Sequence, residues 1–195
     1  MAQKKDKRDL NDQSGFIPAH GGYQNLLSYQ KSQIVYDATV YFCNKYLDRR
    51  DRTVGQMVQA ARSGKQNIIE GSQASGTSKE MEIKLTNVAR ASLEELLEDY
   101  RDFLRVRNIP EWQKDDTFTR RLRELNRTPN ASFETFRNGI ENDDPFICVN
   151  MIIALIKVTT FLLDKQLKTL EQEFLKSGGL KEAMTRARLK NRNSP

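Results

Sequence analysis

TVGQMVQAARSGKQNIIEGSQASGTSKEMEIKLTNVARASLEELLEDYRDFLRVR, residues 53–107, reads as two amphipathic helices joined by a turn rich in glycine and serine. In its first half Val54, Met57, Val58, Ala61 and Ile68 form a stripe at the spacings that place side chains on one face of a helix. Thr53 with Gln56 three residues on predicts a capping box at the start, and Gly71 supplies a left-handed position at the end. Residues 72–76 are the expected turn. Thr77 as N-cap and Glu80 three residues later open the next helix, with Met81, Leu85, Val88, Ser92, Leu96, Tyr100 and Phe103 on its packing face. At 1.5 Å per residue this helix is a rod of roughly 45 Å.

Three residues of the stretch do not suit a purely apolar seam. Lys65 falls near the centre of the buried stripe and Arg62 on its shoulder. Either the lysine stem packs while its ammonium reaches water or a carboxylate, or this face meets an oligomer seam or a polyanion. Glu70 sits in the last turn, where the helix dipole disfavours a negative charge. With Asn67 it is expected to form a polar clamp on the helix end, its cationic partner being Lys65, Arg62 or a residue of a neighbouring subunit.

Upstream, Leu27, Ile34, Ala38 and Tyr41, flanked by Val35, Phe42 and Tyr46, predict a helix over 25–47. The charged loop 48–52 follows, a solvated turn in which Arg49, Arg50 and Arg52 are candidate phosphate contacts. Residues 1–22 read as a polar lead-in. Downstream, residues 108–144 lose the long periodicity. Short helices are expected near 116–125 and 132–141, with Trp112, Phe118, Leu122, Phe133, Phe136 and Ile140 as a small apolar cap over one end of the bundle. Arg120, Arg121, Arg123, Arg127 and Arg137 would stand on its outside. Asp144 and Pro145 make an N-cap and first-turn pair for a fourth long helix running to 176. Val149, Ile152, Ile153, Ile156, Leu163, Leu167, Leu170 and Phe174 carry its packing face, yet its first half is apolar nearly all round. Such a helix asks for burial on more than one side, in a bundle interior and in a subunit interface. Ser177, Gly178 and Gly179 stop it, leaving a short helix and a basic tail over 177–195.

The chain of 195 residues suits one all-α domain over 23–176 with tails at both ends. Its net charge of +6 is uneven. Residues 176–195 hold six cations against one carboxylate and residues 1–10 four against two, so the body between them is close to neutral. The densest apolar run, 152–163, is interrupted by Lys157 and shorter than the ~20 residues of a bilayer span, so no membrane segment is expected. No apolar segment follows the charged N-terminus, which makes the cytoplasm the expected compartment. Cys43 and Cys148 are expected as buried free thiols. A single histidine, His20, argues against a metal site, and no cofactor is expected. Glu94, Glu95, Glu98 and Asp99 alternate with Arg101 and Arg105 as a solvated helix face. Without a base, a nucleophile or a pocket beside them, no catalytic residue is assigned and no enzyme is expected.

The run QMVQAARSGKQNIIEG at 56–71, SKE at 78–80 and VARASLEEL at 88–96 resembles the bacterial four-helix-bundle proteins encoded in intervening sequences of large-subunit ribosomal RNA. Accessory proteins of diversity-generating retroelements belong to the same group. GGY at 21–23, IVYDAT at 34–39 and the Gly-Gly-Leu at 178–180 are similar to the branch called four-helix-bundle suffix domain proteins. The resemblance implies an up-and-down antiparallel four-helix bundle, here with a short helical insert at 108–144 before the last long helix. It also implies a ring-shaped homopentamer and binding of RNA or DNA. Where the family pattern carries paired arginines before Ala-Ala and Ile-Pro in the following turn, this chain has Val58 and Gln59, then Gly64 and Lys65.

The expectation is therefore a non-enzymatic oligomer, a pentamer before other states, binding nucleic acid through backbone charge, RNA before DNA. Arg62, Lys65, Arg90, Arg186, Arg188, Lys190 and Arg192 are its candidate contacts. The competing expectation is an assembly scaffold that holds a protein, such as a reverse transcriptase or a ribosome-associated factor.

Overall fold

A computed structural model describes residues 17, 20–128 and 130–192. Most of the expected lead-in, Pro129 and the last three residues of the tail lie outside the described residues. The chain is all-helical, with no strand among the described residues. A short 3-10 turn, Tyr23–Asn25, precedes α1 (Leu27–Tyr46), α2 (Arg52–Ala74) and α3 (Lys79–Val106). Two short helices, α4 (Thr117–Arg127) and α5 (Phe133–Ile140), lead to α6 (Pro145–Ser177) and α7 (Leu180–Arg192). α1 packs on α2 and α6, and α3 packs on α2 and α6, so the four long helices enclose one core.

Both helix starts in the 53–107 stretch differ from expectation by one or two residues. Asp51 caps α2, its carboxylate accepting from the Thr53 N–H at 2.9 Å. A carboxylate answers the positive end of the helix dipole better than a hydroxyl does. That hydrogen bond holds the Asp51 carboxyl below its usual range. Ser78 rather than Thr77 caps α3, accepting from the Met81 N–H at 3.1 Å. Thr77 lies in the turn, its hydroxyl turned back to the Ala74 carbonyl. The end of α2 is corrected as well: it continues through Gly71 to Ala74.

Gly71 is not a terminating residue because its missing Cβ serves packing. A Cβ there would stand 3.4 Å from both the Glu82 carbonyl oxygen and Leu85 Cβ. Gly64 is tighter still, since a Cβ would meet Leu93 Cδ2 at 2.7 Å. Ala60, Ala61, Gly64 and Gly71 on α2 are buried, as are Ala89 and Leu93 on α3. The two helices approach closely along small residues, and Leu93 fills the space that Gly64 leaves. Ser63 Oγ and Ser92 Oγ, 3.0 Å apart, tie the edge of this seam.

In the second half of α3 Leu96, Tyr100 and Phe103 are buried as expected, but in its first half the packing face is rotated from the expected one. Met81 and Val88 are each 45% exposed, while Glu82, Thr86, Ala89, Leu93 and Leu97 are buried. The cause is that α3 serves two neighbours, and its buried stripe is centred between the α2 side and the α6 side. On α1, Leu27 is exposed and Lys31 takes the core position three residues before Ile34. Phe42 of α1 lies against Tyr100 and Phe103 of α3, with ring centroids 5.0 and 4.9 Å apart. Tyr100 is fully buried and donates its hydroxyl to Thr39 Oγ1 at 3.1 Å, which donates in turn to the Val35 carbonyl at 2.8 Å. This chain satisfies polar groups that would otherwise be costly in the core.

The insert does not form a separate cap. α5 packs on α1 and α6 and α4 chiefly on α6, and Leu122, Phe136 and Ile140 join the main core. Asn150 of α6 pins the loop before α4. Its Oδ1 accepts from the Trp112 N–H at 2.7 Å, and its Nδ2 donates to the Pro110 and Phe146 carbonyls at 3.1 and 2.9 Å. The C-terminal half of α1 is tied to the start of α6, with the Tyr46 hydroxyl donating to the Asn142 carbonyl at 2.6 Å and Lys45 pairing with Asp143 at 2.7 Å.

The apolar reach of α6 corrects the expectation that it is too short to span a bilayer. It begins a segment containing an 18-residue window of mean hydropathy 2.3, long and apolar enough by length and composition to cross a membrane. Of that window, 56% is buried inside the fold.

Two glycine substitutions in α2 have opposite expected signs. Gly64→Val lowers the unfolding free energy by about 1–3 kcal/mol, because Leu93 is itself enclosed and cannot withdraw. Gly55→Ala, with nothing within 4 Å of the added methyl, raises it by about 0.5–1 kcal/mol through helix propensity. Urea denaturation of the two variants measures both.

Candidate nucleic-acid interface

The seven cations singled out in the sequence do not form one patch. Arg62 is exposed on α2 and pairs with no carboxylate among the described residues. Three residues on, Lys65 is turned into the groove between α2 and α1, where its ammonium stands 4.1 Å from the centre of the Tyr36 ring. It thus rests on an aromatic face, an interaction worth about 0.5–2 kcal/mol, and has no hydrogen-bonded carboxylate among the described residues. Burial pushes the carboxyl of neighbouring Asp37 up, and the Lys65 charge opposes that rise. Arg90 occupies a different seam, with its Nε 3.5 Å from Asp164 of α6. Lys65 and Arg90 therefore belong to separate helix contacts.

The remaining four stand on α7, which has no buried residue. Leu180, Ala183, Met184 and Ala187 are half-buried, whereas Arg186, Arg188, Lys190 and Arg192 are exposed. Arg186 donates to the Ser177 carbonyl at 2.8 Å, which holds α7 to the end of α6. The loop after α1 presents Arg49 and Arg50 to solvent, the first residue of α2 presents Arg52, and α4 presents Arg120, Arg121 and Arg127. Arg137 is engaged, forming ion pairs with Glu134 and Glu141.

Asn67 and Glu70 part company. Asn67 Nδ2 donates to the Ser63 carbonyl at 2.8 Å and to Ser63 Oγ at 3.1 Å, so it extends the serine link between α2 and α3. Glu70 is exposed and has no ion pair among the described residues. It needs none, because α2 continues past it and the end of the helix dipole lies at Ala74.

One cation escaped the sequence reading altogether. Lys31 is 4% exposed, and its ammonium has no hydrogen-bond partner among the described residues. It stands 4.9 Å from the centre of the Phe136 ring of α5. Burial pushes its pKa below the usual 10.5. The available signal was its position in the core period of α1, four residues after Leu27 and three before Ile34.

Neither thiol is suited to nucleophilic work. Cys43 and Cys148 are free and buried, and burial pushes their pKa values up to about 11 and about 12. Thiols in that state are not thiolates near neutral pH. Two carboxylates of α3 are paired with arginines, Glu98 with Arg101 at 2.6 Å and Asp102 with Arg105 at 2.8 Å. Asp99 is raised by burial, with Glu95 and Asp102 adding to the effect. Among the described residues no group of three or more His, Cys, Asp or Glu side chains is placed to hold a metal ion.

No family model, curated protein or solved structure matches the chain.

Lys31→Met is expected to stabilise the fold by about 1 kcal/mol at neutral pH, the orphaned ammonium outweighing its contact with Phe136. The unfolded chain holds the Lys31 proton more tightly than the folded one does. The penalty is therefore fully present below the depressed folded pKa and fades as pH rises towards 10.5. Urea melts of both proteins between neutral pH and pH 10.5 are expected to converge at the alkaline end.

Proposed function

We propose that this chain is a non-enzymatic subunit of a homo-oligomer that binds RNA through the charge of its C-terminal helix. The observation that carries the reading is α7: a helix with no buried residue, attached to a nearly neutral body, exposing Arg186, Arg188, Lys190 and Arg192. Such a helix gains little from packing and offers a row of cations to a polyanion. Arg62 and the 48–52 arginines add exposed charge, while Lys65 and Arg90 contribute less because each already has a partner. The resemblance of 56–96 to the intervening-sequence proteins favours RNA over DNA and a pentamer over other states. Short connections between α1, α2 and α3 support the up-and-down antiparallel course that the same resemblance implies.

Oligomerisation is supported by apolar surface left on α6 and α3. Phe161 is 55% exposed and Leu175 77% exposed, with Met81 and Val88 open on α3. An open groove of about 770 Å³ between these helices is lined by Ile83, Leu167, Phe174 and Leu175 together with Asn87 and four charged side chains. The apolar window of α6 is then satisfied by the other helices on one side and by a neighbouring subunit on the other. On this reading α6 is a bundle helix and the protein resides in the cytoplasm. The second reading, a scaffold for a protein partner, draws on the same exposed apolar side chains.

Binding of single-stranded RNA is expected to weaken steeply with salt, the logarithm of affinity falling linearly with the logarithm of salt concentration. Replacing Arg186, Arg188, Lys190 and Arg192 together by alanine is expected to flatten that slope by about 3. No binding at low salt in a nuclease-treated preparation overturns the proposal, and a protein partner that survives high salt and nuclease favours the scaffold. Light scattering is expected to give a multiple of 22.5 kDa for the chain, and the Phe161→Glu, Leu175→Glu double variant a monomer.

A further inference from the structure

Between α4 and the middle of α6 lies a cleft of about 350 Å³ that the charged-interface reading does not use. Each wall is one stripe of a helix. Thr119, Leu122, Arg123 and Asn126 recur at helical spacings along α4, and Asn150, Ile153, Ala154, Lys157 and Val158 do so along α6. Leu122 is the one residue that α4 buries, so the helix touches the bundle without closing on it. The floor is aliphatic: Ala154 and Val158 line it half-buried, backed by the buried Leu122 and Ile153. Packed interiors leave few gaps larger than a water molecule, whereas this volume falls at the low end of the ~300–1,000 Å³ typical of small-molecule sites.

Neutral polar side chains of the walls already bond backbone. Thr119 donates to the Gln113 carbonyl at 2.9 Å, Asn126 to the Leu122 carbonyl at 3.1 Å, and Asn150 to the Pro110 and Phe146 carbonyls. Charge is distributed unevenly. Lys114, Arg123 and Lys157 line the cleft against a single carboxylate, Glu111. Burial raises the carboxyl of Glu111, but Lys157 and Arg101 more than offset this and hold it below its usual range, so it stays ionised as their counter-ion. Lys114 and Arg123 are exposed and pair with no carboxylate among the described residues. They are neighbours, since the Arg123 guanidinium donates to the Lys114 backbone carbonyl at 2.8 Å. An aliphatic cleft with positive charge left over at its edge is complementary to an aliphatic chain bearing one anionic head.

We infer that this cleft binds a free medium-chain carboxylate, its chain laid along Ala154 and Val158 between α4 and α6 and its head held by Lys114 and Arg123. Chain burial supplies most of the affinity, and the exposed cations favour an acid over a neutral chain of the same length. The inference goes beyond the charged interface, since it needs neither α7 nor a second subunit.

Trp112 also lines the cleft, its ring stacked on Phe118 at 5.0 Å, and it is the chain's one tryptophan, so intrinsic emission reports on this place. Titration of the full chain with decanoate below its micellar range is expected to give saturable binding by calorimetry. Decanoate brominated at the chain end is expected to quench Trp112 emission with the same midpoint. From octanoate through decanoate to dodecanoate, each added methylene is expected to tighten binding by up to about fourfold until the cleft is full. Decanol is expected to bind roughly three- to tenfold more weakly than decanoate at low salt. The Lys114→Ala, Arg123→Ala double variant is expected to bring the acid down to the level of the alcohol and to leave the alcohol unchanged. Ala154→Phe fills the cleft and is expected to abolish binding of both; where it fails to fold, the double variant, confined to the surface, still decides. No saturable binding of any of the three acids, binding without quenching, equal affinity for acid and alcohol, or binding that the double variant leaves unaltered overturns the inference. Decanoate binding without salt-sensitive RNA binding removes only the charged-interface proposal, and the reverse removes only this one.

Discussion

The distance between α2 and α3 at Gly64 governs the rest of the structure. With no side chain at that position, Leu93 enters the space and the backbones draw together. Close approach brings Ser63 to Ser92 and sets Gly71 against the first turns of α3. The pair then presents two grooves, one filled by α1 and the other by α6. Side chains from all four helices meet there, and the aromatic contact of Phe42 with Tyr100 and Phe103 links α1 to α3 across the core. Packed interiors relax only partly around a misfit, so a change in this one separation is felt at every other contact.

Charge is arranged by a different logic. In the body of the bundle the helix-to-helix cations meet carboxylates or aromatic faces, as with Lys79 between Glu82 and Glu173, Arg90 with Asp164, and Lys65 over Tyr36. Further cations are exposed outside the four-helix core, on α7, on α4 and around the turn between α1 and α2. Fixed internal pairs orient helices, while the exposed external cations carry no such packing role. Lys31 breaks this division, being internal and without a hydrogen-bonding partner.

Helix existence was legible because periodicity is a local property. The stripes of α2 and α6 and the stop at Gly178 could be read from spacing alone. Rotation was not legible for the first half of α3. Val88 and Leu93 are both apolar, and only the presence of a second neighbour decides which is buried. The Asp144 cap of α6 was read correctly, but those of α2 and α3 were missed by a residue or two because Asp51 and Thr53, like Thr77 and Ser78, are both competent, and the choice depends on backbone geometry outside the helix. Gly71 looked like a terminator for the same reason: a missing side chain suits a left-handed turn and a close helix contact alike. At the candidate site, exposed α7 cations could be foreseen from composition. The turn of Lys65 towards Tyr36 could not, since Tyr36 lies on another helix. The cavity beside Trp112 was invisible in the sequence, because it depends on Asn126 and Asn150 arriving from separate helices.

Burial of Cys43 and Cys148 makes the bundle its own clock. Neither sulfur is reachable while α1 and α6 are seated, so a thiol reagent can modify them only when those helices part. The rate of that modification, compared with the rate for a free thiol, measures how often the core opens without denaturant. Because one thiol lies on α1 and the other on α6, unequal rates would reveal whether the helices leave singly or together.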